Sequence, residues 1–236
     1  MKQLAVALDG LGISYDETIL NKFRLYMEGI LKWNESINIT SIKEEDEFIR
    51  KHYIDSLLCA PSKEFRRAKR IIDVGTGGGF PGVPLALIAP EKEFILMDSL
   101  NKRIKIIREL CEELEIKNVT AIHNRAEDLA QDQGHREAYD LCLSRAVANL
   151  ATLSEYCLPF LKRGGYFLSY KSVDIGKEIK EAKKAIHILG GNMDREEIAD
   201  LDGFDLQHKI IFIKKIKRTP AKFPRKAGTP SKDPLI

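Results

Sequence analysis

Five glycines in eight residues, at positions 75, 77, 78, 79 and 82, follow the apolar run Ile71-Ile72-Asp73-Val74. Glycines there allow positive φ and let a ligand lie against bare backbone, while Pro81 suits the first turn of a following helix. Asp98 closes the next apolar run, 23 residues after Gly75, where a carboxylate can take both hydroxyls of a ribose. These residues predict a site for a nucleoside-containing ligand. Gly77-x-Gly79-x-x-Gly82 matches the dinucleotide fingerprint in its letters. In that fingerprint, however, the first glycine directly follows the strand, whereas Gly77 comes three residues after Val74. Asp73, at the strand's carboxyl end, opposes a pyrophosphate and suits a cation. S-adenosylmethionine carries a sulfonium and an ammonium and no phosphate, so the local charge favours it over NAD. No Gly-Lys-Ser/Thr follows, which excludes a Walker A loop.

The elements that must position this loop are legible as periodicities. From residue 70 short apolar strands (Ile71–Val74, Glu93–Asp98, Val119–His123, Asp140–Ser144, Tyr166–Tyr170 and Lys209–Lys214) alternate with helix-length stretches (Pro81–Ala89, Asn101–Leu114, Asn149–Leu161 and Asp174–Leu189). Strand–helix alternation predicts an α/β fold with a doubly wound, mostly parallel sheet. Upstream, Ile19, Leu20, Phe23, Tyr26, Met27, Ile30 and Leu31 recur at helical spacing between Asp16 and Trp33, and a second helix is expected from Glu44 to Cys59. The expected division is an N-terminal helical extension (1–65), an α/β domain (66–218) and a basic, proline-rich tail (219–236) packed on or beside it.

The 236 residues are 44% hydrophobic and 31% charged, which excludes bulk disorder, collagen and coiled coil. No apolar run approaches a membrane span, and Met1-Lys2-Gln3 does not open a signal peptide, so a cytoplasmic protein is expected. Cys59, Cys111, Cys142 and Cys157 form no CxxC pair, and His52, His123, His135, His187 and His208 have no ligand spacing; no metal site is expected. Net charge is +3, but residues 207–236 hold nine Lys/Arg against Asp233 alone. Four prolines in this stretch predict an extended end, suited to a phosphate backbone or to solvent.

Asp73-Val74-Gly75-Thr76-Gly77 resembles the first motif of class I methyltransferases. The wider run DVGTGGGFPGVPLALIAP, with LMDSLNKR (96–103), NVTAIHNRAEDL (118–129), YDLCLSRAVANL (139–150) and GGYFLSYKS (164–172), resembles the RsmG/GidB family. Trp33-Asn34, Ile37–Thr40, His52–Leu57 and the tail FPRKAGTPSKDPL extend the likeness over nearly the whole chain. The resemblance implies a Rossmann-like, class I S-adenosylmethionine-dependent methyltransferase. Its target would be N7 of a guanine in 16S rRNA, guanine 527 of the 530 loop, and it would act as a monomer on the small ribosomal subunit. It further implies cofactor contacts by Asp73, Gly75, Thr76, Gly77 and Phe80, by Asp98 at the ribose and by Ala126 and Glu127 at the adenine. Arg145 would sit at the methyl-donor end as catalytic residue, and Lys171, Lys222, Arg225 and Lys226 would contact RNA.

Guanine N7 has an in-plane lone pair and no proton, so its methylation needs positioning and exclusion of water rather than a general base. After the fourth strand stands Ser144-Arg145-Ala146-Val147, not the Asn/Asp-Pro-Pro-aromatic sequence used for exocyclic amines. Cys142, within Leu141-Cys142-Leu143, reads as core rather than as a pyrimidine-attacking nucleophile. The plainer alternatives are that Asp98 caps a helix, Glu127 is a solvated loop acid and Arg145 forms a structural ion pair. A methyltransferase on another substrate, an NAD-linked oxidoreductase and a non-catalytic ribosome factor are the rival functions.

Overall fold

The computed structural model describes residues 1–236, with the side chains of residues 199, 205 and 207 outside the described set. Seven strands form one sheet: β1 (Arg70–Val74), β2 (Glu93–Asp98), β3 (Val119–His123), β4 (Tyr139–Arg145), β5 (Leu161–Ser172), β6 (Gly191–Leu201) and β7 (Phe204–Lys215). Their order is β3-β2-β1-β4-β5-β7-β6. β1 to β5 are parallel, and β7 pairs antiparallel with both β5 and β6. The chain builds outward from β1 to β3 and then returns to lay β4 on the other side of β1. The carboxyl ends of β1 and β4 therefore flank the crevice where such sheets bind ligands.

Alternate residues of each strand enter two cores. Ile71, Phe94, Leu96, Leu141 and Leu143 pack with the N-terminal helices, whereas Ile72, Val74, Ile95, Met97 and Cys142 face the opposite layer. The first layer comprises α1 (Lys2–Gly10), α2 (Glu17–Asn34), a broken helix and two of the crossover helices. Those crossovers are α6 (Gly82–Ile88) and α7 (Asn101–Glu113). Phe23, Tyr26, Met27 and Ile30 of α2 are buried against the sheet, so the extension covers a face that would otherwise expose apolar surface. The opposite layer holds α8 (Ala126–Leu129), α9 (Leu150–Cys157) and α10 (Gly176–Ile188).

The helix expected over residues 44–59 is broken. It runs as α3 (Glu45–Phe48), a π-helical turn (Ile49–Ile54) and α4 (Asp55–Leu57), ahead of α5 (Lys63–Arg67). The tail packs on α9, and its extended course is interrupted by one helical turn, α11 (Thr229–Lys232). No helix among the described residues is long and apolar enough to cross a membrane.

Candidate active site

β1 delivers Asp73 to its carboxyl end, where the chain turns through Gly75 (φ +74°) and Gly77 (φ +60°), backbone that a side chain would strain. The amides of Gly75 and Thr76 donate to the Met97 carbonyl at 2.9 and 3.0 Å, tying the loop to the end of β2. Asp73 Oδ2 accepts from Thr76 Oγ1 (2.7 Å) and the Gly82 amide (2.9 Å). Its other oxygen, Oδ1, is buried without a hydrogen-bond partner. Burial pushes the Asp73 carboxyl up to about 6, against the bonds that lower it. An unmatched acceptor at a strand end, beneath a glycine loop, is what a cationic ligand group would satisfy. Asp98 accepts from the Gly77 amide at 3.0 Å and the Leu100 amide at 2.8 Å, joining the loop to the start of α7.

A cavity of about 230 Å³ opens beside this loop. Gly75, Asp98, Ala126 and Glu127 line it together, with Val147 and Ser231. Of the expected cofactor residues, Asp73 at the end of β1 and Thr76 and Gly77 in the loop adjoin the cavity without lining it, and Phe80 and Arg145 do not line it either. A Cβ on Gly75 would come within 2.5 Å of Val147 Cγ2, so this glycine is also required by close packing. The C-terminal segment builds one wall: the Gly228 amide donates to Glu127 Oε1 at 2.8 Å, and Thr152 Oγ1 donates to the Pro230 carbonyl at 3.0 Å. Glu127 is thus a buried, bonded acid rather than a solvated one.

Phe80 and Arg145 lie in an adjoining cluster that sequence spacing did not expose. The Phe80 ring stacks on His52 (centroids 4.5 Å apart, 7° between planes) and packs against Tyr26, Phe48 and Tyr53. Arg145 Nη1 donates to Asp55 Oδ2 (2.5 Å) and the Lys51 carbonyl (3.0 Å), and Nη2 meets His52 Nδ1 at 3.2 Å. Asp55 Oδ1 pairs with His208 Nδ1 at 2.5 Å. Burial, then the neighbouring Arg145, lowers His52 to about 3. His52 is therefore neutral, accepts from Arg145 through Nδ1 and donates from Nε2 to Thr40 Oγ1 at 2.8 Å. Burial alone would raise the Asp55 carboxyl, but the His208 and Arg145 contacts outweigh it and hold it below the usual value. The bond to Asp55 raises His208 against the effect of burial. The only sequence trace of this cluster is His52-x-x-Asp55, one helical turn apart.

The residues expected to contact RNA divide. Arg225 donates to both oxygens of buried Glu155 and to Asp233 Oδ2, and Lys171 donates to Glu178 Oε1 (2.5 Å) and the Ala148 carbonyl (2.6 Å). Those two cations are paired within the protein. Lys222 and Lys226 are exposed. Lys215, counted in the basic stretch, is fully buried and donates to the Leu158 carbonyl. Cys142 is also fully buried, and burial raises its thiol well above the usual value, as core packing requires. No cluster of metal-ligating type occurs among the described residues.

A family model described as GidB, rRNA small subunit methyltransferase G, matches residues 19–198. The Ribosomal RNA small subunit methyltransferase G of Clostridium tetani (strain Massachusetts / E88) is 46% identical over 229 residues, covering 97% of this chain and 96% of the relative. The protein of that name from Alkaliphilus oremlandii (strain OhILAs) is 48% identical over 226 residues, covering 96% and 95%. Among solved structures, M. jannaschii TYW2 in complex with AdoMet aligns at a TM-score of 0.55 and 15% identity, over 75% of this chain and 80% of that one. A putative O-methyltransferase from Klebsiella pneumoniae aligns at 0.54 and 13%, over 87% and 92%. At such identities the likeness concerns the fold, which is the Rossmann-like fold of class I methyltransferases. The family match and the near full-length relatives place the rest: the chain belongs to the GidB family, the rRNA small subunit methyltransferases G.

Proposed function

We propose that this chain transfers a methyl group from S-adenosylmethionine to N7 of a guanine in 16S rRNA, guanine 527 of the 530 loop by the resemblance stated above, acting as a cytoplasmic monomer on the small ribosomal subunit. The observation that carries the cofactor is the unmatched, buried Oδ1 of Asp73. Asp98 and Glu127 line the cavity and Asp73 lies at the adjoining end of β1, so a pyrophosphate would be repelled and a cationic cofactor held. The residues fit the group: Asp73 suits the ammonium, Asp98 the ribose, and Gly75 and Gly77 the approach of bare backbone, with Ala126 and Glu127 at the adenine. When bound, S-adenosylmethionine supplies an electrophilic methyl group on positively charged sulfur.

The chain's own contribution is placement. A guanidinium offers donors and no acceptor, so Arg145 suits a target atom that carries no proton. Fixed by Asp55 and the Lys51 carbonyl at the end of β4, it can orient the incoming base without taking a proton from it. The helical extension covers the sheet beneath the site. In this reading residues 1–65 brace the site, 66–218 bind the cofactor, and 219–236 close a cavity wall and present Lys222 and Lys226 outward.

The test is transfer of labelled methyl from S-adenosylmethionine to small subunits from cells lacking this protein, followed by borohydride reduction and aniline scission. A single cleavage in 16S rRNA identifies the atom and the nucleotide, because the cationic ring of N7-methylguanine makes the chain breakable there. Transfer without scission moves the reaction to another atom. Binding of S-adenosylhomocysteine without transfer favours a non-catalytic ribosome factor.

A further inference from the structure

A second hollow, of about 490 Å³, lies at the other end of the sheet from the candidate active site. It is bounded by α5, the beginnings of β4 and β5 and the end of β7. Five cations line it: Lys63, Arg67, Lys162, Arg163 and Lys214. The two carboxylates there are already engaged. Glu64 is held by Arg195 through both oxygens, at 3.1 and 2.9 Å, and meets Lys63 only at 3.8 Å. Asp140 accepts the amides of Lys69 and Arg70 on one oxygen and Lys162 Nζ on the other. Arg67, Arg163 and Lys214 face the same hollow from three different elements, and all three are exposed. Convergent like charges repel unless an anion bridges them, and a helix as short as α5 cannot account for the cations on the other two elements.

We propose that this hollow is a second phosphate-binding site for rRNA, used by a part of the substrate that continues beyond the methylated nucleotide. The inference rests on the function proposed above. Two features favour a polynucleotide over a small phosphorylated ligand. The cations are spread over a broad, open hollow rather than focused on one point. The ring of Tyr166 is partly exposed within it, with Lys214 Nζ 6.0 Å from its centre, which pairs a stacking surface with backbone charge. The span from Asp140 to Arg145 separates the hollow from the reaction edge by roughly 16 Å at the usual rise of a strand. An RNA fragment confined to the target loop would occupy one edge, whereas a folded subunit can engage both.

The experiment compares wild type with Arg67→Glu/Arg163→Glu/Lys214→Glu, using small subunits, full-length 16S rRNA and a short hairpin carrying the target guanine. For the variant, KM for subunits is expected to rise at least tenfold with kcat and S-adenosylmethionine affinity unchanged. The salt slope for full-length rRNA should fall by about two, as the loss of three phosphate contacts implies. Hairpin affinity should not change. Unaltered KM and salt slope overturn the proposal, as does an equal loss on the hairpin, which would make the effect one of overall charge. Loss of inorganic polyphosphate binding with rRNA binding intact would assign the hollow to a small anion and overturn it as well. The neutral variant Arg67→Gln/Arg163→Gln, checked for an unchanged melting temperature, should move KM and slope in the same direction. If wild type methylates no RNA, the functional reading fails by itself, while the full-length rRNA binding comparison still decides this site.

Discussion

Asp55 receives the Arg145 guanidinium at 2.5 Å, a contact between the helical extension and the end of β4 that spans 90 positions of sequence. Asp55 is buried, and its second oxygen is taken by His208. Replacing it leaves a nearly buried guanidinium without its counter-charge. Asp55→Asn should cost about 3 kcal/mol or more in unfolding free energy, read by urea denaturation. Because Arg145 loses its anchor, kcat should fall more than substrate affinity.

The same network sets a pH dependence. His208 is raised in the folded state, so its contribution is complete below the unfolded value of about 6.5 and is lost as pH rises through the raised value. Asp55 is lowered, so its contribution is complete above 3.8 and is lost as pH falls through the lowered value. The network is strongest between those limits. His208→Gln should flatten the decline in stability above neutrality, and an unchanged pH profile would contradict the assignment.

Asp73 runs in the opposite sense. A carboxyl raised from 3.8 to about 6 binds more protons folded than unfolded, so stability without cofactor declines as pH climbs from about 4 through about 6. The cost at pH 7 is on the order of 2–3 kcal/mol. Asp73→Asn should therefore raise the melting temperature of the unliganded protein at pH 7 by several degrees and weaken S-adenosylmethionine binding at least tenfold. Calorimetry reads both, and a variant that binds the cofactor normally would remove Asp73 from the site.

Gly75→Ala places a side chain in left-handed backbone and 2.5 Å from Val147 Cγ2. The backbone term alone costs roughly 1–2 kcal/mol. Cofactor affinity should fall sharply. Adding Val147→Ala should recover part of the stability, since it removes the clash and leaves the strain.

Arg225→Ala leaves Glu155, 1% exposed, without its cation. The expected loss is about 3 kcal/mol, nearly all from the buried half of the interaction, because exposed Asp233 contributes little. Glu155→Gln in the same chain should restore much of it. Limited proteolysis should cut the tail of the single variant first.

The parts of this molecule written in local sequence were readable as sequence. β2 and β3 begin and end where apolar runs place them, and the glycine loop declares itself through residue types that only a tight turn needs. β6 was not anticipated because Gly191–Leu201 is an edge strand rich in charge. The Asp202-Gly203 pair that turns it into β7 was a usable hairpin signal. α1 lies within the expected helical extension, where Leu4, Ala7 and Leu8 keep helical spacing. The ion pairs of Arg225 with Glu155 and of Lys171 with Glu178 are invisible until the chain folds. The Asp55–His208 pair, 153 positions apart, has no local signature at all.

The cavity wall that includes Val74 at one point of the chain and Ser231 at another has a thermodynamic corollary. No partly folded intermediate lacking either segment contains the complete binding surface. A ligand seated there favours the finished structure over every incomplete one, by RT ln(1 + [L]/Kd). Cofactor supply would thus act on the survival of the protein as well as on its turnover, and starved cells should hold a more protease-sensitive pool of this chain.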